Sequence, residues 1–295
     1  MLFKNLQLYS IANSFQPHVR DVEAALQKRP LLECSALAMQ SFGWAPVSPG
    51  WPVAIQHGHH LLMSLGILER MLPASAIKRE VKTRAEVLER QQGFKVGRKQ
   101  LRDLRDKVAD ELRPRALVKE KRVLVWIDLG ARTLAVDTAS PKVADLVTSM
   151  LRTDLGELPI VPLMTQTGAG GAMTNWLMAG AAPAEHGLLI DQDCELVGGG
   201  AGEATVRYAR HDLHGAEVRS LIQGGKQVRQ LGLSWRDRAA FVLTDRLVIK
   251  RVQDQQIVEQ AADGVDAFSA ELELTFGTLS GVIGGVVDAL GGIAG

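Results

Sequence analysis

The sequence predicts an α+β protein, and three observations carry that prediction. Short apolar runs of strand type fall in two clusters, without regular alternation of strand and helix. Between the clusters lies a highly charged pair of segments with helical periodicity, and the chain closes on one long apolar helical pattern.

In chain order, residues 3–11 (Phe3, Leu6, Leu8, Tyr9, Ile11) predict an opening strand, and Pro17 starts a helix through Val19, Val22, Ala25 and Leu26 that Pro30 ends. The Pro-, Gly- and Ser-rich segment Pro46–Pro52 reads as a loop. Val53–Ile55 and Leu61–Leu68 pair across a turn at His57-Gly-His-His60. Pro73 and Ser75 open a helix whose Ile77, Val81, Ala85 and Leu88 share one narrow face. Gly93 and Gly97 break it. A second helix follows, with Leu101, Leu104, Val108 and Leu112 on one face and Arg98, Arg102 and Arg105 on another. So slender a hairpin buries little by itself and is expected to project from a larger body. Pro114 stops it. Val123–Ile127 and Thr133–Val136 are strands around a turn at Gly130, Pro141–Leu151 is a helix, and Leu158–Leu163 a strand.

Gly168–Gly171 reads as a linker. Beyond it, strands at Thr205–Tyr208, Val228–Leu233, Ala240–Thr244 and Leu247–Val252 surround a helix at Gly215–Ile222. Asp266–Leu290 is the closing helix, with a break expected at Gly284-Gly285. The expected organisation is a central domain in two parts (1–72 and 123–167), a basic helical arm (73–122) and a C-terminal α+β base domain (168–295).

Charge is the feature that bears on function. The segment Lys78–Arg122 holds 16 of the 34 Lys and Arg residues but only 8 of the 33 acidic ones, so it carries +8 and the remainder −7. The net charge of +1 hides this split. Such segregation is the footprint of a polyanion-binding surface, with nucleic acid the commonest partner. The plainer reading is a solvated helical arm. Phe94 is the one aromatic in the segment, so phosphate contact is favoured over base stacking.

No stretch reaches the ~18 consecutive apolar residues of a membrane span. The start lacks the features of a signal peptide. Two distant cysteines, Cys34 and Cys194, exclude a disulfide framework and point to the cytoplasm.

Candidate chemical sites are weak. His57, His59 and His60 form a cluster with no acidic or Cys partner near in sequence, so the spacing suits a turn better than a metal site. Gly224-Gly-Lys226 fails as a P-loop, because Ser220 stands at the first glycine and Gln227 at the Mg²⁺-binding hydroxyl. The Gly198–Gly202 run opens no clear helix and supports no dinucleotide site. Asp128 and Asp137, near the ends of adjacent strands, could hold Mg²⁺ for phosphodiester hydrolysis, although strand-end aspartates are more often turn formers. Trp44, Trp126, Trp176 and Trp235 read as core, and Trp51 as an exposed loop residue.

Several motifs in order resemble the bacterial RdgC family of recombination-associated proteins. They are Met1-Leu-Phe-Lys-Asn-Leu6, Gly43-Trp-Ala-Pro46, Leu112-Arg-Pro-Arg-Ala-Leu117 and Trp126-Ile-Asp128. Leu155-Gly-Glu-Leu-Pro-Ile-Val-Pro-Leu163 follows, and Phe268, Leu272, Leu274-Thr275 and Leu279 match the pattern of the last helix. The resemblance implies a curved α+β subunit with no catalytic activity and no cofactor. Two such subunits would close as a ring-shaped two-fold homodimer around duplex DNA, antagonising RecA in the cytoplasmic nucleoid, with no membrane partner.

Arg115 matches the arginine of the family's DNA-contacting, dimer-closing finger. Leu117 stands where the family carries Phe, offering less area and no π face. Arg210, in Arg210-His-Asp-Leu213, keeps the charge of a position associated with DNA binding. With these, Arg98, Lys99, Arg102, Arg105, Lys119 and Lys121 make the expected DNA-binding set. The rival readings are a Mg²⁺-dependent nuclease using Asp128 and Asp137, and an arm that docks an acidic protein.

Overall fold

The computed structural model describes residues 2–198, 204–255 and 265–294. The first strands and helices are β1 (Asn5–Ile11), α1 (Val19–Leu26), β2 (Gln40–Trp44), β3 (Ala54–His57) and β4 (His60–Met71). The helical pair α2 (Ala74–Gln92) and α3 (Arg98–Leu112) follows, then β5 (Leu117–Asp128), β6 (Thr133–Val136), α4 (Pro141–Leu155) and β7 (Ile160–Pro162). The rest is α5 (Ala169–Ala179), β8 (Leu188–Gly198), β9 (Thr205–Tyr208), α6 (Ala216–Gln223), β10 (Lys226–Trp235), β11 (Ala239–Thr244), β12 (Ile249–Asp254) and α7 (Val265–Ala289).

All twelve strands join one sheet through antiparallel pairs. Its order is β2-β4-β5-β6-β1-β12-β11-β10-β8-β9, with β3 also on β4 and β7 also on β1. The central strands are buried on both faces, so their apolar residues divide by the two-residue period. Tyr9, Leu61, Met63, Leu65, Val125, Ile127 and Leu134 meet α1 and α4 on one face. Leu6, Leu8, Leu62, Trp126 and Ala135 face the other way, into a core shared with α5, α6 and α7.

The helical pair is inserted at the far end of a twelve-pair ladder, β4 on β5, that runs from His60↔Asp128 to Met71↔Leu117. Gly93 ends α2 at φ 78°, a left-handed conformation in which glycine carries no Cβ penalty. Arg84 ties α2 to α3 through Glu111 at 2.6 Å. At the root of the pair the Arg70 guanidinium donates to five carbonyls, those of Cys34, Ser35, Ala38, Arg113 and Pro114.

Several expectations need correction. The residues read as the linker Gly168–Gly171 begin α5, because Ala169, Ala172, Met173, Trp176 and Leu177 form a buried stripe that overrides the glycines. No break occurs at Gly284-Gly285, and α7 runs through it. Gly281 and Gly285 instead make room for Trp235. Trp51 is only partly exposed and packs on Phe268 with ring centroids 4.7 Å apart. β2 and β8 have no counterpart in the sequence reading, and β5 begins six residues before Val123. Residues 199–202 of the Gly198–Gly202 run lie outside the described residues. One helix, Ala267–Ala289, is long and apolar enough to cross a membrane by length and composition, but half of its apolar window is buried against the sheet.

Candidate nucleic-acid interface

The amphipathic pattern of α3 fixes which of its charges face water. Val108 is buried against α2, so Arg98, Lys99, Arg102 and Arg105 are exposed. Arg115 sits in the 3-10 turn Arg113–Arg115 that follows α3, and Lys119 and Lys121 on the outer half of β5, where every residue from Leu117 to Arg122 is exposed. None of these seven forms a salt bridge with a described residue, whereas Arg84, Arg113 and Arg122 pair with Glu80 and Glu111, Asp110, and Glu120. Lys121 lies near Asp137 and favours that carboxylate's charged form.

Arg210 is exposed at φ 52°, its backbone N–H donating to Asp193. It follows β9, seven strands from β5 in the sheet order, or ~34 Å along a flat sheet. Seven of the predicted residues thus lie on α3, the turn after it and the outer half of β5, and Arg210 lies apart.

Leu117 is 78% exposed opposite Met71, itself 51% exposed. Leu37 and Met39, also exposed, belong to the loop whose backbone carbonyls Arg113 and Arg70 hold, a proximity that sequence reasoning missed because that loop is distant in the chain.

Asp128 and Asp137 are not brought together. Asp128 lies opposite Thr133, while Asp137 donates its N–H to Leu124 O, so they sit four residues apart along β5, ~13 Å. Each has a local role. Asp128 Oδ1 accepts from Gly130 N and Ala131 N, closing the β5–β6 turn. Asp137 accepts from Lys4 N and Asn5 N, and burial raises its pKa against the help of those bonds. Lys226 donates to Ala204 O, in keeping with a turn at Gly224-Gly225 and not a phosphate loop.

The histidines gain the acidic partner the sequence hides. Register places His60 opposite Asp128, and His59 Nε2 lies 3.5 Å from Asp128 Oδ1. Burial lowers the pKa of His60 despite Asp128, so the ring is neutral at neutral pH. Cys194, on β8, offers no nucleophile, since burial and then Glu195 push its thiol up to about 12. A further polar cavity of about 240 Å³ lies on the C-terminal strands, lined by Glu195, Arg207, Lys250 and Arg251 among others. Glu195 is already paired with Arg207 at 2.5 Å.

Comparison with known proteins places the chain. A family model described as "Putative exonuclease, RdgC" matches residues 1–293. The chain belongs to the RdgC family. Among its RdgC relatives, the recombination-associated protein RdgC of Cupriavidus pinatubonensis is 40% identical over 99% of both chains. The proteins of the same name from Janthinobacterium sp. and Dechloromonas aromatica are 37% and 36% identical, with 99% of this chain and 98% of each relative covered. Two of the motifs that suggested RdgC membership fall on structural joints. Trp126-Ile-Asp128 ends β5 at the turn, and Leu112-Arg-Pro-Arg-Ala-Leu117 links α3 to β5.

Proposed function

We propose that this RdgC protein is a recombination-associated, sequence-independent binder of duplex DNA that acts as a homodimer. The observation that carries this reading is the sorting of arm charges: seven exposed basic side chains without salt-bridge partners on α3, its following turn and β5. Unpaired Lys and Arg neutralise phosphates and release counterions, which gives affinity without sequence information. The α2–α3 pair is the projecting arm, and Arg98, Lys99, Arg102, Arg105, Arg115, Lys119 and Lys121 are its phosphate contacts. Arg210 serves a second, separate contact from the base. Occupancy of duplex in the nucleoid then limits access of RecA filaments without chemistry.

The test is duplex binding by fluorescence anisotropy across a salt series. The Arg98/Arg102/Arg105→Ala protein is expected to lose affinity and about three units of the negative log–log salt slope, at ~0.9 per phosphate. An unchanged slope would place DNA elsewhere.

Leu117 and its apolar surroundings are the proposed closing contact with the second subunit, because an exposed apolar group of this kind marks an interface. Leu117→Asp is expected to weaken the dimer, seen in light scattering as a lower mean mass on dilution than for the wild type. A wild type that is monomeric at the same concentration would remove the ring.

The family description favours one rival, exonuclease activity. The separation of Asp128 from Asp137 counts against the two-carboxylate version of it. Mg²⁺-dependent shortening of DNA ends by the wild type, absent from Asp128→Asn, would restore that reading.

A further inference from the structure

His59, His60 and Asp128 each offer one donor atom, all within 4.8 Å of one another. The cluster lies at the opposite end of the β4–β5 ladder from the arm, ~37 Å away, so it is no part of the proposed DNA surface. Asp128 is 2% exposed. Its carboxylate accepts from two turn N–H groups and from Ser280 Oγ on α7, which leaves capacity on the side facing the two rings. Trp126 Nε1 donates to His60 Nδ1 at 3.2 Å. That nitrogen is therefore unprotonated, its one lone pair engaged by Trp126, and it lies 3.7 Å from Asp128 Oδ2.

His59 Nε2 lies 3.5 Å from Asp128 Oδ1 and His60 Nδ1 3.7 Å from Asp128 Oδ2. With one donor atom from each residue within 4.8 Å of the others, the set is somewhat wider than the ~3.3 Å donor–donor edge that bonds of ~2.0–2.1 Å give around a tetrahedral ion. His59, with 59% of its side chain exposed, can swing to tighten the set, and its outer side leaves a position for water. The space is kept open by Gly130. A Cβ there would lie 2.9 Å from the His59 ring and 3.2 Å from Asp128 Oδ1.

We propose that His59, His60 and Asp128 form a site for one divalent transition-metal ion of the Zn²⁺ class. Two imidazoles and a carboxylate are the donor set such borderline cations prefer over Mg²⁺ or Ca²⁺. The bound ion ties the β3–β4 turn to the end of β5 and, through Ser280, to α7. It also takes the His60 lone pair from Trp126, whose indole then reports occupancy.

The test uses the untagged full chain stripped by chelator, titrated with Co²⁺ and then Zn²⁺. Ligand-field absorption and tryptophan fluorescence are read. One Co²⁺ per chain is expected, displaced by Zn²⁺, with a higher Tm in Zn²⁺ than in chelator. His59→Ala removes a donor from an exposed turn, and Gly130→Ala fills the cradle with every donor retained. Both are expected to weaken binding at least ~10-fold. No saturable binding by the wild type, or wild-type affinity in both variants, would overturn the site.

Discussion

Gly281→Ala is expected to lower the unfolding free energy by about 1–3 kcal/mol, while Gly277→Ala in the same helix raises it by up to about 1 kcal/mol. In an exposed helix interior alanine is the better residue, because glycine loses more backbone entropy on folding. At Gly277 nothing lies within 4 Å of an added Cβ, so only that gain remains. At Gly281 the added carbon would sit 2.2 Å from Trp235 Cη2 and 2.4 Å from Cζ2. The indole cannot retreat freely, since it is 7% exposed and Gly285 and Gly187 also approach it. Overpacking therefore outweighs propensity at this position. Urea unfolding of the two variants decides the matter: shifts of the same sign would mean that Trp235 does not occupy the groove.

Arg70→Ala is expected to cost about 2–3 kcal/mol and to weaken duplex binding, although Arg70 is not among the proposed phosphate contacts. Its guanidinium serves two carbonyls at the end of α3 and three in the loop before β2, at 3.0–3.3 Å. A hydrogen bond from a charged donor contributes ~1.5–3 kcal/mol, and five on one half-buried group are far from additive. Removing the group cuts the link between the arm's root and the sheet. Arg70→Lys should recover little, because an ammonium has three donors and no planar fork. The check is urea unfolding together with limited proteolysis of residues 31–39. Wild-type stability and protease resistance in Arg70→Ala would mean that the arm is held by other contacts.

The parts of the fold that read clearly from sequence are those whose burial is one-sided and periodic. Val81, Ala85 and Val108 mark the facing sides of α2 and α3, although Leu101 on the same predicted stripe is 38% exposed. Elements failed to read where tertiary contact replaces local signal. β8, Leu-Leu-Ile-Asp-Gln-Asp-Cys-Glu-Leu-Val-Gly, carries a polar middle and a bulge against β10, so neither strict alternation nor an apolar run announces it. α5 opens on glycines yet is held by Ala172, Met173 and Trp176. Gly284-Gly285 in α7 read as a break, when Gly281 and Gly285 are a matter of shape for Trp235.

For the sites, the arm's charge was visible in composition. Which of its basic residues are already paired required the positions of Glu80, Asp110, Glu111 and Glu120. His60 and Asp128 could not be joined by spacing at all. Their proximity follows from the β4–β5 register alone.

The pairing of β1 has a consequence for synthesis. β1 holds β6 on one side and, on the other, β7 and β12, where Asn5 and Leu6 face Lys250 and Ile249. β1 is thus a central strand that leaves the ribosome well over two hundred residues ahead of its partner β12. Until then its outer edge is open along Asn5 and Leu6. Native pairing across so long a separation is slow, and an unpaired edge is prone to join another chain. Truncations that remove β12 should therefore yield aggregates, not a smaller folded protein.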